Sequence, residues 1–413
     1  MPPSTNREQG GPSHRSLRWA VLLLLASLVY KNYIHDILFI ALGINRLVQP
    51  IEDFAYDCER VQHPLLEGCE DIWLDQVGRK LYASCTSVAS RKGWSPSGNS
   101  YNVSARTRTD HISVLSIDQP GPDRLYGLHK LEVGDGYQGD LDLHGFDVRD
   151  LGEKLRFWLI NHKPPVEATT GKPLDAKIVG ANSTVEIFDL NKGSTRLEHV
   201  RTVASDAIIS PNDLAVDDDG VGFLITNDHN TKVGTFRSLS VLFGHGSISY
   251  CRSDTGKCHI AADKGFHVPN GITKGSDGLF YIAHTAKGKV TVHQLLDEQL
   301  VQVDEIPLGI VVDNLSLDAE GNILVAAFPS LLKLVKAMDD PTTTAPATIL
   351  MIRRVAVQQE GKDGKAYDVV KLVEDKEGKA LPTTTIAVRD SKTRRLFLGG
   401  IAAPFIGICE EHD

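Results

Sequence analysis

Six segments of this chain share one layout: a polar pair, a short apolar run, a turn rich in Asp and Gly, and a second apolar run. They are CEDIWLDQVGRKLYASC from Cys69, LHGFDVRDLGEKLRFWLINH from Leu143, PNDLAVDDDGVGFLITND from Pro211, PNGITKGSDGLFYIAHT from Pro269, DNLSLDAEGNILVAAFP from Asp313 and TTTIAVRDSKTRRLFLGG from Thr383. Their first strand residues are Ile72, Phe146, Leu214, Ile272, Leu315 and Ile386, so the spacing runs from 43 residues (Ile272 to Leu315) to 74 (Ile72 to Phe146). Further strand-like runs, such as STVEIFDL at 183–190 and KVTVHQLL at 289–296, lie between the copies. A repeat of this size, holding about four strands, is the signature of a propeller, because a four-stranded sheet buries both faces only by stacking against its neighbours around an axis. The expected fold is all-β: a six-bladed β-propeller over 46–413, preceded by an N-terminal hydrophobic helix.

If the first strand of each copy is the innermost, the six polar pairs meet at one mouth of the central channel. What meets there is Glu70-Asp71, His144-Gly145, Asn212-Asp213, Asn270-Gly271, Asp313-Asn314 and Thr384-Thr385. Glu70, Asn212, Asn270, Asp313 and Asn314 form a hard-oxygen set of the kind calcium takes, whereas zinc favours His and Cys. Asp71 and Asp213 follow on two strands and point the other way by alternation, where they would suit a second, deeper cation. Each Asn or Asp alone reads as a turn cap; the inference rests on their convergence. His144 and His162, in one blade, are candidates for a proton relay beside such a cation, with His229 a third candidate. Asn314 also opens an N-x-S sequon. A glycan there would sit on a ligand in the channel mouth, so the ligand reading is preferred at Asn314, and Asn102 and Asn182 remain as glycan acceptors.

The N-terminus differs from the body. Residues 1–18 form a polar basic tail with Arg7, Arg15 and Arg18, followed over 19–45 by two apolar runs, WAVLLLLASLVY and ILFIALGI. A positive flank before a short apolar run reads as an uncleaved signal-anchor, with a cleaved signal peptide or a buried helix as alternatives. That places the body in the secretory pathway, membrane-anchored or secreted. Six cysteines agree with export. Cys251 and Cys258 bracket a short polar loop, and Cys69 and Cys85 flank a hairpin turn. Cys58 and Cys409 remain, one from each end of the body, and a bridge between them would close a very long loop. Buried free thiols are the alternative for any pair. The net charge of −9, with no dominant basic block in the body, argues against nucleic acid as a partner.

The motifs GCED, LHGF, LINHKP, NSTVEIF, PNDLAV, TNDH, PNGI and VVDNLSLD, in that order, give the chain a resemblance to the serum paraoxonase/arylesterase family from about Cys58 to Cys409. The resemblance implies a six-bladed propeller with two calcium ions that hydrolyses lactones and aryl esters, with side activity on organophosphate triesters. Carried onto matching positions, it implies a catalytic calcium on Glu70, Asn212, Asn270, Asp313 and Asn314. It implies a structural calcium on Asp71, Asp213 and the carbonyl of Phe146, a His144–His162 dyad, and a Cys58–Cys409 disulfide. The family retains its apolar N-terminal segment, which favours an anchor and a membrane or lipid surface as partner. The sequence departs from the family at Phe328, where a channel-mouth histidine is expected, in the long 163–181 loop and in an insertion at 89–108; Cys69, Cys85, Cys251 and Cys258 also look additional. The substrate is therefore placed only as a small ester or lactone. A gluconolactonase- or strictosidine-synthase-like enzyme and a non-catalytic binding propeller are the competing readings. Nothing in the sequence fixes the oligomeric state.

Overall fold

A computed structural model describes residues 14–340, 343–355 and 366–412. Six antiparallel sheets are arranged around one axis, and each begins with the strand expected to be innermost: Asp71–Asp75, Leu143–Asp150, Pro211–Val216, Pro269–Lys274, Val311–Leu317 and Thr384–Arg389. Each inner strand abuts the inner strand of the next blade, and the sixth abuts the first. Blade 2 carries a fifth, parallel edge strand, Glu132–Val133.

The core is divided among the blade interfaces, as stacking requires. Phe157, Phe188 and Tyr82 fill the space between blades 1 and 2, and Trp158, Ile187 and Phe223 that between blades 2 and 3. Strand alternation makes this possible: Leu214 faces blade 2 while its neighbour Ala215 faces blade 4. Such two-sided burial explains why consecutive residues of an inner strand, such as Leu214, Ala215 and Val216, are all buried.

The sixth blade is closed by the start of the body. Tyr56–Gln62 pairs antiparallel with Phe405–Glu411, setting Cys58 opposite Cys409 in a disulfide across 351 residues. Cys69–Cys85 and Cys251–Cys258 are bonded as well, so no cysteine is free. A Cys58→Ser/Cys409→Ser variant is expected to lose about 3–5 kcal/mol of stability in urea unfolding, because its unfolded chain regains the freedom of that loop. A loss under about 1 kcal/mol would mean that the strand ladder alone carries the closure.

Most of the tail expected over 1–18 lies outside the described residues. His14–Val29 is helical, and Leu22 to Leu25 and Leu28 along it are exposed. The second apolar run packs on the propeller instead: Ile40 is buried against Val311, Phe328 and Leu334. Arg46 locks it by donating to the carbonyls of Phe39 and Gly309. Among the described residues no helix is long and apolar enough to cross a membrane.

Candidate active site

The five expected mouth donors come together, and four of them present an oxygen without a partner. Oε2 of Glu70 and Oδ1 of Asn212, Asn270 and Asn314 are all buried without a hydrogen bond. Buried polar atoms are almost always satisfied, so four orphaned acceptors in one place point to an absent electrophile. The side chains of Asn314 and Asn270 are already bonded within the cluster. Asn314 Nδ2 donates to Glu70 Oε1 at 2.8 Å and to the Glu70 carbonyl at 3.3 Å, and Asn270 bonds Asp313. Thr385 Oγ1, from blade 6, also holds the Glu70 carbonyl, at 2.7 Å. Two glycines permit the close approach of inner strands. A Cβ on Gly145 would stand 2.6 Å from the Asn212 carbonyl, and one on Gly271 2.5 Å from Asn314 Cα.

Burial pushes the carboxyls of Glu70 and Asp313 up, and for Asp313 the charge of Glu70 adds to it. A divalent ion among these groups would remove that penalty. With three of the five donors being amides, the cluster is poor in His, Cys, Asp and Glu; no group of three such residues suited to a metal occurs among the described residues. The donor set fits a hard cation such as calcium, and not zinc.

Asp71 and Asp213 form a second group. Their carboxyls are pushed well up, first by burial; the charges of Glu70 and Asp147 add to it for Asp71, and those of Asp71 and Glu70 for Asp213. Each oxygen accepts a main-chain N–H: Asp71 from Ile72 and Phe146, Asp213 from Leu214 and Ile272. Phe146 thus meets this pair through its N–H. The pair fits a cation by charge, without the orphaned oxygens of the mouth. A cavity of about 160 Å³ continues from it past Gln76, Arg149 and Lys274, and none of the five mouth donors lines it.

His144 and His162 face each other, with ring centroids 5.3 Å apart. Burial brings His144 down to about 3, with Arg91 adding to the shift, and puts His162 well below its usual value. Both rings are therefore held neutral at pH 7. His144 Nε2 is 3.9 Å from Glu70 Oε1, and its Nδ1 has no partner. A bulge between Leu159 and Asn161 lets the Asp142 carbonyl take the His162 N–H, and Ser183 Oγ holds His162 Nδ1 at 2.9 Å. His229 pairs with Asp228 at 2.8 Å. Burial alone would raise Asp228, but Arg237, His229 and Ser210 outweigh it and keep the carboxylate ionised near the dyad.

The insertion supplies residues that no repeat announced. It folds as the helix Val88–Gly93 and a small hairpin, Trp94–Ser95 with Ser100–Tyr101. Trp94 Nε1 donates to the His162 carbonyl, and Ser97 Oγ stands 3.5 Å from His162 Nε2. Arg237 pins this cap by donating to the carbonyls of Pro96 and Ser97. Phe328 makes an apolar wall with Ile40 and Val311 where the family pattern has a histidine. Asn314 is buried, whereas Asn102 and Asn182 are exposed.

A family model for arylesterases matches residues 178–405, more than half of the chain. The chain belongs to the arylesterase family. Its relatives include serum paraoxonase/lactonase 3 of Homo sapiens, 27% identical over 278 residues (63% of this chain, 71% of the relative). Serum paraoxonase/arylesterase 2 of Gallus gallus is 26% identical over 279 residues, covering 64% and 72%. Among solved structures, the major Malassezia sympodialis allergen Mala s 1 is similar at 12% identity and a TM-score of 0.49, covering 86% of this chain and 95% of that one. A luciferin-regenerating enzyme matches at 13% identity and 0.47, with the same coverage. As an arylesterase-family member, the protein is a carboxylic ester hydrolase.

Proposed function

We propose that the protein is a calcium-dependent hydrolase of aryl esters and lactones, with organophosphate triesters as side substrates, and that the channel mouth is its active site. The observation that carries this reading is the convergence of four partnerless oxygens, on Glu70, Asn212, Asn270 and Asn314, beside two neutral histidines. Glu70, Asn212, Asn270, Asp313 and Asn314 would hold the catalytic ion, and Asp71 and Asp213, with the Phe146 backbone, a structural one. A calcium ion held there would supply a Lewis acid to polarise the substrate carbonyl and offset developing negative charge. His144, neutral and next to Glu70, takes the proton of the attacking water. His162 backs His144 and passes the proton on, its ring held by Ser183. Asp228 offsets the positive charge that forms on the pair. The cap formed by Trp94 and Ser97 keeps bulk water from the dyad.

His144→Gln keeps the side chain's polarity and removes the base. Lactone kcat is expected to fall about 10²–10³-fold, with calcium affinity within about threefold of wild type. Full lactonase activity in this variant would remove the dyad from the mechanism. Export and anchoring belong to the same proposal. Three disulfides suit an oxidising compartment, and the exposed apolar face of His14–Val29 suits a lipid surface. Asn102 and Asn182, both exposed, are the proposed glycan acceptors.

A further inference from the structure

The insertion carries a buried arginine into the heart of the site. Arg91, on the helix Val88–Gly93, is only 6% exposed. Its terminal nitrogens donate to main-chain carbonyls: Nη1 to Leu143 at 2.7 Å and Nη2 to Gly68 at 3.2 Å. Leu143 immediately precedes His144, and Gly68 stands two residues before Glu70. One guanidinium therefore ties together the two chain segments that deliver the base and the ligand, on different blades. Just past the insertion, Asp110 Oδ2 accepts the Leu143 N–H at 2.8 Å. The peptide groups on both sides of Leu143 are thus gripped, one by Arg91 inside the inserted loop and one by Asp110 just after it. The base of the loop is stapled by Cys69–Cys85, next to Glu70 on one side and Thr86 on the other.

We propose that Arg91 is a positioning residue for ester hydrolysis, fixing His144 against Glu70 by bridging the Leu143 and Gly68 carbonyls. This rests on the reading of Glu70 as a ligand and His144 as the base. The planar fork suits the role because it presents two donors at a fixed separation to two acceptors from different strands. A lysine keeps the charge but, with one flexible ammonium, loses the fixed span.

The test compares full-length wild type with Arg91→Met, Arg91→Lys and Tyr101→Phe. The last is a control that removes another anchor of the insertion, the Tyr101 hydrogen bond to the Lys232 carbonyl. Phenyl acetate turnover and calcium affinity by titration are both read. Arg91→Met is expected to lower kcat about 100-fold with KM changed less than about threefold, since a misplacement near 1 Å costs about that much. Arg91→Lys recovers about tenfold of that loss, and Tyr101→Phe stays within twofold of wild type. If Arg91→Met fails to fold, Arg91→Lys decides: a loss of several-fold in kcat at constant KM supports the proposal. Wild-type kcat in either Arg91 variant, a loss confined to KM, or an equal loss in Tyr101→Phe overturns it. Chelation of the wild type reports on the calcium reading separately, so failure of that reading is distinguishable from failure of Arg91's role.

Discussion

Withdrawing calcium with excess EGTA is expected to abolish aryl-ester and lactone turnover and to lower the Tm by at least about 5 °C, from loss of roughly 4 kcal/mol of ligand stabilisation. Four buried carboxyls, Glu70, Asp71, Asp213 and Asp313, share the channel, and burial raises the proton affinity of each. Without a cation they must either stay charged at a high cost or take up protons. The sign of the resulting pH dependence is fixed. An acid whose folded-state value is raised favours folding below its unfolded value, 3.8 for Asp and 4.5 for Glu, and that contribution is lost as pH rises through the folded value. The chelated protein should therefore lose stability from pH 5 to pH 8. The calcium-loaded protein, with its carboxylates neutralised by the ion, should not. The Tm gap between the two forms widens with pH, and differential scanning calorimetry at three pH values measures it. Unchanged turnover and an unmoved Tm in chelator would remove calcium from both sites.

The propeller was legible because its physics repeats. Ile72, Leu214, Ile272 and Leu315 are each buried near the start of an inner strand, and each follows a pair containing Asn, Asp or Glu. Strand alternation separated Glu70 from Asp71 and Asn212 from Asp213; Asp71 and Asp213 line a cavity that Glu70 and Asn212 do not. The cap was not legible. Arg91, Trp94 and Ser97 occur once, in a segment rich in Ser, Arg and Gly that reads as a solvated loop. Only tertiary contacts reveal that its arginine is buried and its indole hydrogen-bonded to His162. The helices Thr235–Phe243 and Leu331–Asp339 were missed for a related reason. Each is a short element between strands, too brief for its periodicity to stand out from the sheet pattern around it. The fate of ILFIALGI was equally hidden, since an apolar run alone does not say whether lipid or protein will cover it. Here Ile40 is covered by Val311, Phe328 and Leu334.

Replacing Asn314 by Ala is expected to lower kcat/KM for phenyl acetate by about 10²–10³-fold and to weaken calcium binding at least about tenfold. Asn314 serves the site twice. Its Oδ1 is one of the orphaned oxygens, and its Nδ2 holds Glu70 Oε1 in place. Alanine removes a ligand and frees a second one, so the loss should exceed that of Asn212→Ala, where no such contact to Glu70 is present. Asn314→Asp separates the two roles. The oxygen is kept, but the donor facing Glu70 becomes an acceptor, placing two carboxylates in contact. With calcium bound, the added charge is neutralised and affinity should stay within about tenfold of wild type. Without calcium, the repulsion should lower the Tm below that of the wild-type apo protein. Equal activity in wild type and Asn314→Ala would show that the mouth cluster is not the catalytic site. The same geometry argues against a glycan on Asn314 in the VVDNLS stretch. Asn314 is 1% exposed, with its amide nitrogen committed to Glu70. A sugar on that nitrogen would break the contact that shapes the site, so peptide mass spectrometry of active protein should find Asn314 unmodified.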